Sequence, residues 1–595
     1  PKDVEQPHPP DRQPAGADID PTRTPLEGMN PVVTAQLETC TQSEGGDWLM
    51  GLIIGDDDQQ RHVQLSVPDY LSDSALAASQ ILASVAGREK PPPIQVKLLN
   101  VRYNGGNLSF PADPEGNGDA FPLLVIQPTY LINVTALTHF DFCPRKYLID
   151  RYSIPDSNQA MQRGSLVHSV FDFMLRHPGD REGLLHHCHS EMDEQLPDLT
   201  MQGVPPANHY EDARPHLNAL AQGIGGALNP ASFAEVYVER YMINPDLGMK
   251  GKIDALVRKS NGCWQALELK TGKSWGATAN AGHAFQVCAY HLLLSQAGIG
   301  ALESPCVVYT GNQAQRIREG GNLLPASTMC KTLAFDARTA IKMMNLRNEL
   351  VRIDYTGELA FNDNPRKCGA CKQAAFCVNL HGMGLDGGEI FAEHLEPLVA
   401  GLNVADKCRA GFQAMNGALL AEFQAIRTEH GQVLQGSIES RIAKGICLRV
   451  KQAGKQAEDR FVTLELPDGN SSEFREGDPC LVSDTDGPVK GNCIEVYISQ
   501  INKTRAVVSL PQGVDRLWFE PTYLDVNAPD TAFERNFAAL YALWKSADGE
   551  DDALGPIRRF LSGAPHAFRP NEEVASAFDG VQPPPLPAQR RAVGL

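Results

Sequence analysis

The sequence predicts a multidomain α/β protein, with a central mixed α/β core between two small β-barrels and helices flanking the second. Three observations carry that reading. The chain has 595 residues, enough for about three or four domains of ordinary size. Short strand-like runs separated by Gly and Pro turns fill two blocks, 31–134 and 431–511. Between them, strand-like runs alternate with amphipathic helical segments, the pattern of a mixed core.

Residues 1–30 are rich in Pro and Asp and show no apolar periodicity, so a disordered tail is expected. The opening PKDVEQPHPPDRQPAG lacks the layout of a signal peptide, and no apolar run reaches membrane-spanning length. A cytoplasmic protein with no membrane partner is the expectation. The block 31–134 carries WLMGLIIG, HVQLSVP, IQVKLLNVRY and FPLLVIQPTYLINV. One helix over 73–86 is expected there, with Ser72 as N-cap and Gly87 as its stop. The block reads as an OB-like barrel, with a sandwich as the alternative.

Residues 135–383 form the expected core. Residues 384–430 read as a helical stalk, with helices over 389–403 and 405–430. The block 431–511 repeats the short-strand pattern in GICLRVKQ, RFVTLELPDG, NCIEVYISQIN and RAVVSLP, and a second barrel fits it. Residues 512–595 hold an amphipathic helix over 532–545 and a Pro-rich linker, QPPPLPAQRRAV.

Net charge is −19, which alone argues against a nucleic-acid partner. Its distribution reverses the argument for the core. Residues 131–380 hold 24 Lys+Arg against 24 Asp+Glu, so the acidic excess lies in the flanks. Arg145, Lys146, Arg163, Lys252 and Lys273 are the candidate phosphate contacts of that balanced region.

The core is organised around GMKGKIDALVRKSNGCWQALELKTGK, residues 248–273. Two strand-like runs flank the turn signal Ser260-Asn261-Gly262, which makes a β-hairpin. Side chains two apart share a strand face, so Glu268 and Lys270 point together while Leu267 and Leu269 point away. Asp254 on the neighbouring run reaches the same face. Two carboxylates and a lysine suit metal-assisted phosphodiester cleavage. The carboxylates hold hard divalent cations such as Mg²⁺ or Mn²⁺, and the lysine offsets developing charge. A surface hairpin with a salt bridge is the plain alternative.

Other residues gather around that hairpin. His168 is expected near the start of a helix over 163–176, whose apolar face is Leu166, Val170 and Phe173. Gln286 and Tyr290 lie one turn apart on a helix over 281–294. The run LLHHCHSEMDE, 184–194, reads as a solvated helix without metal. Among the fourteen cysteines, Cys368, Cys371 and Cys377 cluster as C-x2-C-x5-C, which reads as a metal site. Such sites usually take four ligands, and Cys143 is the natural fourth. Zinc and a 4Fe–4S cluster are comparable on spacing alone.

Cys143, His168, Asp254, Glu268-x-Lys270, Gln286, Tyr290 and the cysteine triplet occur in one order. In this the chain resembles the iron–sulfur subclass of RecB-type PD-(D/E)XK nucleases, with their restriction-endonuclease-like core. It is closest to the nuclease half of the replication nuclease–helicase family, and similar also to the CRISPR-associated iron–sulfur exonucleases and to AddB. The resemblance implies metal-binding carboxylates at Asp254 and Glu268, with His168 as an additional metal ligand, and a catalytic lysine at Lys270. It implies that Gln286 and Tyr290 contact a DNA end or orient the lysine. It also implies a 4Fe–4S cluster on Cys143, Cys368, Cys371 and Cys377. The implied activity is hydrolysis of single-stranded DNA ends or flaps, in repair, replication or antiviral defence. The alternatives are a catalytically silent scaffold that binds DNA or a helicase, and an RNA substrate.

In that family a superfamily 1 helicase motor follows the second barrel. LPAQRRAV, 586–593, with Gln589, resembles the Gln-containing motif that precedes such a motor, yet the chain has no G-x-x-x-x-G-K-[ST] phosphate loop. A motor in a longer chain or in a separate subunit is the resulting expectation.

Overall fold

The computed structural model describes residues 27–55, 60–87, 91–117, 120–153, 158–224, 228–322, 324–359, 364–385, 393–399, 406–453, 460–512, 514, 516–527 and 530–544. The first block is a barrel. Its strands are β1 (Gly28–Gln42), β2 (Trp48–Ile54), β3 (Arg61–Val67), β4 (Ile94–Asn104), β5 (Asn107–Ser109) and β6 (Leu123–Ile126). Five of them run β1-β2-β3-β5-β4, and β4 pairs back onto β1, which closes the ring; β6 adds beside β4. Closure removes the free edges that an open sheet would expose. In β3 the exposed and buried positions alternate, as a half-buried strand requires, and Leu52, Leu65, Val96 and Leu98 fill the interior.

Two expectations for this block need correction. Residues 28–30 belong to β1, where Gly28 pairs with Tyr103, so they are not tail. Helix α1 spans Ser72–Ala86 with Leu71 at the N-cap position, so Ser72 is the first helical residue and not the cap. Gly87 does end it.

The central sheet runs β12 (Cys330–Thr332), β11 (Cys306–Tyr309), β10 (Trp264–Lys270), β9 (Met249–Lys259) and β7 (Ile132–Asn133), with β8 (Phe233–Asn244) on the other side of β9. Helices α2 (Val134–Phe142) and α7 (Ala281–Ala297) pack on one side of it. Helix α4 (Gln159–Arg176) packs on the other, carrying α5 (Arg181–Met201) and α6 (Pro206–Ile224) outside it. Val167 and Phe171 of α4 share one core with Leu267, Leu269 and Ala255 of the sheet. Helices α3 (Pro144–Tyr152), α8 (Gly311–Arg318), α9 (Ala337–Thr356), α10 (Pro365–Gly369) and α11 (Ala374–Gly382) complete the core.

Arg347 of α9 locks the first barrel to this core. It is fully buried and donates to the carbonyls of Gln127 and Tyr130, each at 2.7 Å, to Ile126 O, and to Gly248 O at 3.3 Å. Four carbonyls replace its water shell, which is what a buried guanidinium needs. Gly248 sits at φ 63°, and a Cβ there would lie 2.2 Å from the guanidinium. That position needs glycine on both counts.

Helix α12 (Glu396–Val399) is short, and the rest of the helix expected over 389–403 lies largely outside the described residues. Helix α13 (Asp406–Gln435) is the stalk, and α14 (Ile438–Ala443) follows. The second β-block runs β13 (Cys447–Arg449), β19 (Tyr523–Val526), β16 (Pro479–Ser483), β17 (Cys493–Ile501), β18 (Arg505–Ser509), β15 (Phe461–Glu465) and β14 (Lys451–Gln452). β13 and β14 occupy opposite ends of that order but are separated only by Val450. One bent strand therefore joins both edges and closes a second barrel. Helix α15 (Gly487–Lys490) caps it, and α16 (Asp530–Trp544) packs on α13 and α3. The Gln-containing motif over 586–593 lies outside the described residues. Among the described residues no helix is long and apolar enough to cross a membrane.

Candidate active site and cysteine recess

Strands β9 and β10 pair from Trp264↔Arg258 to Leu267↔Ala255 and then part. At the parting point the Asp254 carboxylate accepts the Leu269 N–H at 2.7 Å, in place of a ladder carbonyl. The register places Glu268 opposite Asp254. On the other side, Val238↔Ala255 and Arg240↔Ile253 bracket Glu239, which is also opposite Asp254. Three carboxylates thus form a row across three neighbouring strands. Glu239 has φ 52°, a left-handed conformation that costs a non-glycine residue energy and that clusters at functional sites.

Each outer glutamate has a lysine. Lys270 Nζ donates to Glu268 Oε1 at 2.7 Å, and Lys252 pairs with Glu239. His168 Nδ1 lies 3.4 Å from Asp254 Oδ2. It stands in mid-helix, because α4 begins at Gln159 and not at 163. Asp172, one turn further along α4, is buried as well.

Electrostatics follow from burial against pairing. Burial pushes the Glu268 carboxyl up to about 8, reinforced by the Asp254 charge and only partly offset by Lys270. Asp254 goes the other way. Burial opposes its charge, but His168, Lys270 and the Leu269 N–H together hold it below the usual range. Burial disfavours the His168 and Lys270 cations, and the neighbouring carboxylates outweigh it, so both are raised. Burial, then Glu239, raises Asp172 well above an ordinary aspartate.

Glu268 Oε2 is buried with no hydrogen-bond partner. An orphaned carboxylate oxygen is costly. Beside Asp254 and His168 it gives the hard oxygen and imidazole donors that Mg²⁺ or Mn²⁺ takes, so the residues fit such an ion. As placed, no three His, Cys, Asp or Glu side chains among the described residues stand close enough to hold a metal ion. Holding an ion there would require the side chains to move closer together.

Gln286 Nε2 donates to the Tyr290 hydroxyl at 3.3 Å. Tyr290 is buried beneath β9, and a Cβ on Gly251 would lie 2.8 Å from its ring. It is therefore not placed to touch a DNA end, and of its two expected roles only orientation suits its position. Among the expected phosphate contacts, Arg145 is buried and donates to Cys377 Sγ at 2.9 Å, so it does not face solvent. Lys146 pairs with Asp150 and Arg163 with Asp212. Lys252 is engaged by Glu239, and Lys273 is exposed.

Cys143, Cys368, Cys371 and Cys377 line one recess, together with Arg145, Lys146 and Ile149. Cys143 precedes α3, Cys368 sits on α10 and Cys377 on α11. Lys367 Nζ donates to Phe142 O at 2.8 Å and clips the two segments together. Burial raises the Cys368 and Cys377 thiols, Cys377 despite the Arg145 guanidinium. Four thiols around one recess have the soft-donor chemistry of a thiolate-ligated metal group, although as placed they too stand too far apart to hold one. None of the described cysteines is in a disulfide. The histidine-rich run lies on α5, where His187 stacks on Phe173 at 4.8 Å and bonds Ser169 Oγ at 2.7 Å.

Sequence reasoning missed Asp172 and left the upstream glutamate open between Glu235 and Glu239. Asp172 had a signal, its one-turn spacing from His168. The strand register decides between the two, because it sets Glu239 opposite Asp254.

Residues 132–378 match a family model described as the PD-(D/E)XK nuclease superfamily. The central region is thus a PD-(D/E)XK nuclease domain, of a superfamily whose members are generally hydrolytic. No curated protein matches the chain. Among solved structures, one titled "Crystal structure of SSO0001" is similar at 18% identity over 37% of this chain and 97% of that one. Its TM-score of 0.18 is too low to carry an argument.

Proposed function

We propose that the chain is a Mg²⁺- or Mn²⁺-dependent deoxyribonuclease acting on single-stranded DNA ends or flaps. The observation that carries this is the buried, unpartnered Glu268 Oε2, set opposite Asp254 and beside Lys270. Asp254, Glu268 and His168 would hold the ion. Bound there, it would polarise the phosphate and make water a better nucleophile. The chain's own groups do the rest. Lys270 sets a fixed cation where phosphate charge develops, held in place by Glu268. Asp254 is kept ionised by His168 and the Leu269 N–H, so its charge is available at neutral pH. Gln286, on the Tyr290 hydroxyl, orients the lysine side of the site.

The cysteine recess is read as the seat of a 4Fe–4S cluster, supported by four thiols on two segments 225 residues apart in sequence. Its role is structural. A superfamily 1 motor, in cis or as a separate subunit, is the proposed partner, supported by the Gln-containing motif over 586–593. The test is cleavage of end-labelled single-stranded DNA and flap duplexes by anaerobically purified protein. Cleavage that needs Mg²⁺ and stops with EDTA is expected. DNA binding without cleavage under any divalent ion would favour the silent-scaffold reading.

A further inference from the structure

The ten residues after Lys270, 271–280, form a loop that is pinned at its backbone and bare at one side chain. Asn312 Oδ1 accepts the Ser274 N–H at 2.8 Å, and its Nδ2 donates to Ser274 O at 3.1 Å. Asn280 Oδ1 accepts the Trp275 N–H at 3.2 Å, and its Nδ2 donates to Lys273 O at 3.0 Å. The Asn280 N–H in turn donates to the Tyr309 hydroxyl at 3.0 Å, and Tyr309 pairs with Lys270 in the β10–β11 ladder. At the loop's base the backbones touch, and a Cβ on Gly311 would lie 2.2 Å from Gly272 O.

On this fixed frame the Trp275 side chain is 81% exposed. Ser274 before it is buried and Lys273 is exposed. One exposed apolar side chain is ordinary on a protein surface. Trp275 differs because its backbone is two hydrogen bonds from the residue that pairs with Lys270. A flat indole is presented on the loop that follows Lys270, on a backbone that the loop already fixes.

We propose that Trp275 stacks on a base of single-stranded DNA next to the scissile phosphate, with Lys273 meeting the backbone beside it. The proposal rests on the nuclease reading and names what selects the substrate. Every base has a π-face, so stacking is tolerant of sequence. A base inside a duplex has both faces covered, so the same indole favours single strands over duplex.

The experiment measures binding of a labelled oligothymidylate, and of the same strand with abasic sites, in EDTA so that nothing is cut. The parent is expected to prefer the intact strand, with tryptophan fluorescence quenched on binding. Trp275→Ala is expected to bind the intact strand roughly 5- to 160-fold more weakly, the range of one stacked base. It should lose the preference over the abasic strand and keep its melting temperature, and Trp275→Tyr should recover most of the affinity. Equal binding by Trp275→Ala, or an undiminished preference for intact over abasic DNA, overturns the proposal. With Mg²⁺ added the two readings separate. A parent that shows base-dependent binding but never cuts sinks the nuclease reading and leaves the stacking. A parent that cuts alongside a Trp275→Ala protein of unchanged KM does the reverse.

Discussion

Asp254 and Glu268 face each other across two hydrogen-bonded strands of one hairpin, whereas Cys143 meets the Cys368–Cys377 segment from 225 residues away. In the first case backbone register places the groups, and Lys270, His168 and the Leu269 N–H hold them. In the second, short helices bring the groups together, held by Arg145 on Cys377 and Lys367 on Phe142. One site is fixed by backbone register, with side chains that would still have to close on an ion. The other is a recess lined by four thiols from distant segments. Damage to the first should cost chemistry and spare the fold, and damage to the second should do the opposite.

The largest expected effect is on the carboxylate side. Glu268→Ala or Lys270→Ala should lower single-stranded DNA cleavage by about 10⁴-fold, the scale for removing a central catalytic group. Circular dichroism and iron content should stay at parental values. Cys143→Ser reverses the pattern. Iron should fall from about four atoms per chain, the content of one cubane cluster, to near none. Limited proteolysis should then open both ends of the nuclease region. Stoichiometric zinc without iron in anaerobically purified parent would contradict the cluster assignment.

A smaller effect sharpens the contrast by pH. His216 on α6 is buried, with its Nδ1 2.8 Å from Thr310 Oγ1, next to the β11 end that faces Lys270. Burial, with Arg163 and Arg318 nearby, pushes its pKa down to about 4. The folded chain keeps it neutral while the unfolded chain takes up a proton at about 6.5. Its contribution is therefore complete above about pH 6.5 and lost as pH falls toward 4, up to about 3 kcal/mol. His216→Gln should flatten melting temperature against pH across that window. An unchanged slope would show that another group dominates.

Local pattern made the hairpin legible, since its turn signal and period-two alternation lie within 26 residues, 248–273. The cysteine spacing was legible for the same reason. What escaped depends on distant pairing. The closure of β1 onto β4 settles barrel against sandwich, and no local pattern encodes it. The burial of Arg145 is set by Cys377, 232 residues away. Glu239 joins the row only because β8 lies beside β9 with Glu239 opposite Asp254. Trp275 has no local signal, because the groups that pin the loop, Asn280 on Trp275 and Asn312 on Ser274, lie 5 and 38 residues further on.

The central claim is that a divalent cation completes the Asp254–Glu268 pair, and Mn²⁺ titration by calorimetry tests it without any substrate. The parent should bind one or two equivalents of Mn²⁺, Glu268→Ala should lose that binding, and Cys143→Ser should retain it. Undiminished Mn²⁺ binding by Glu268→Ala would contradict the account.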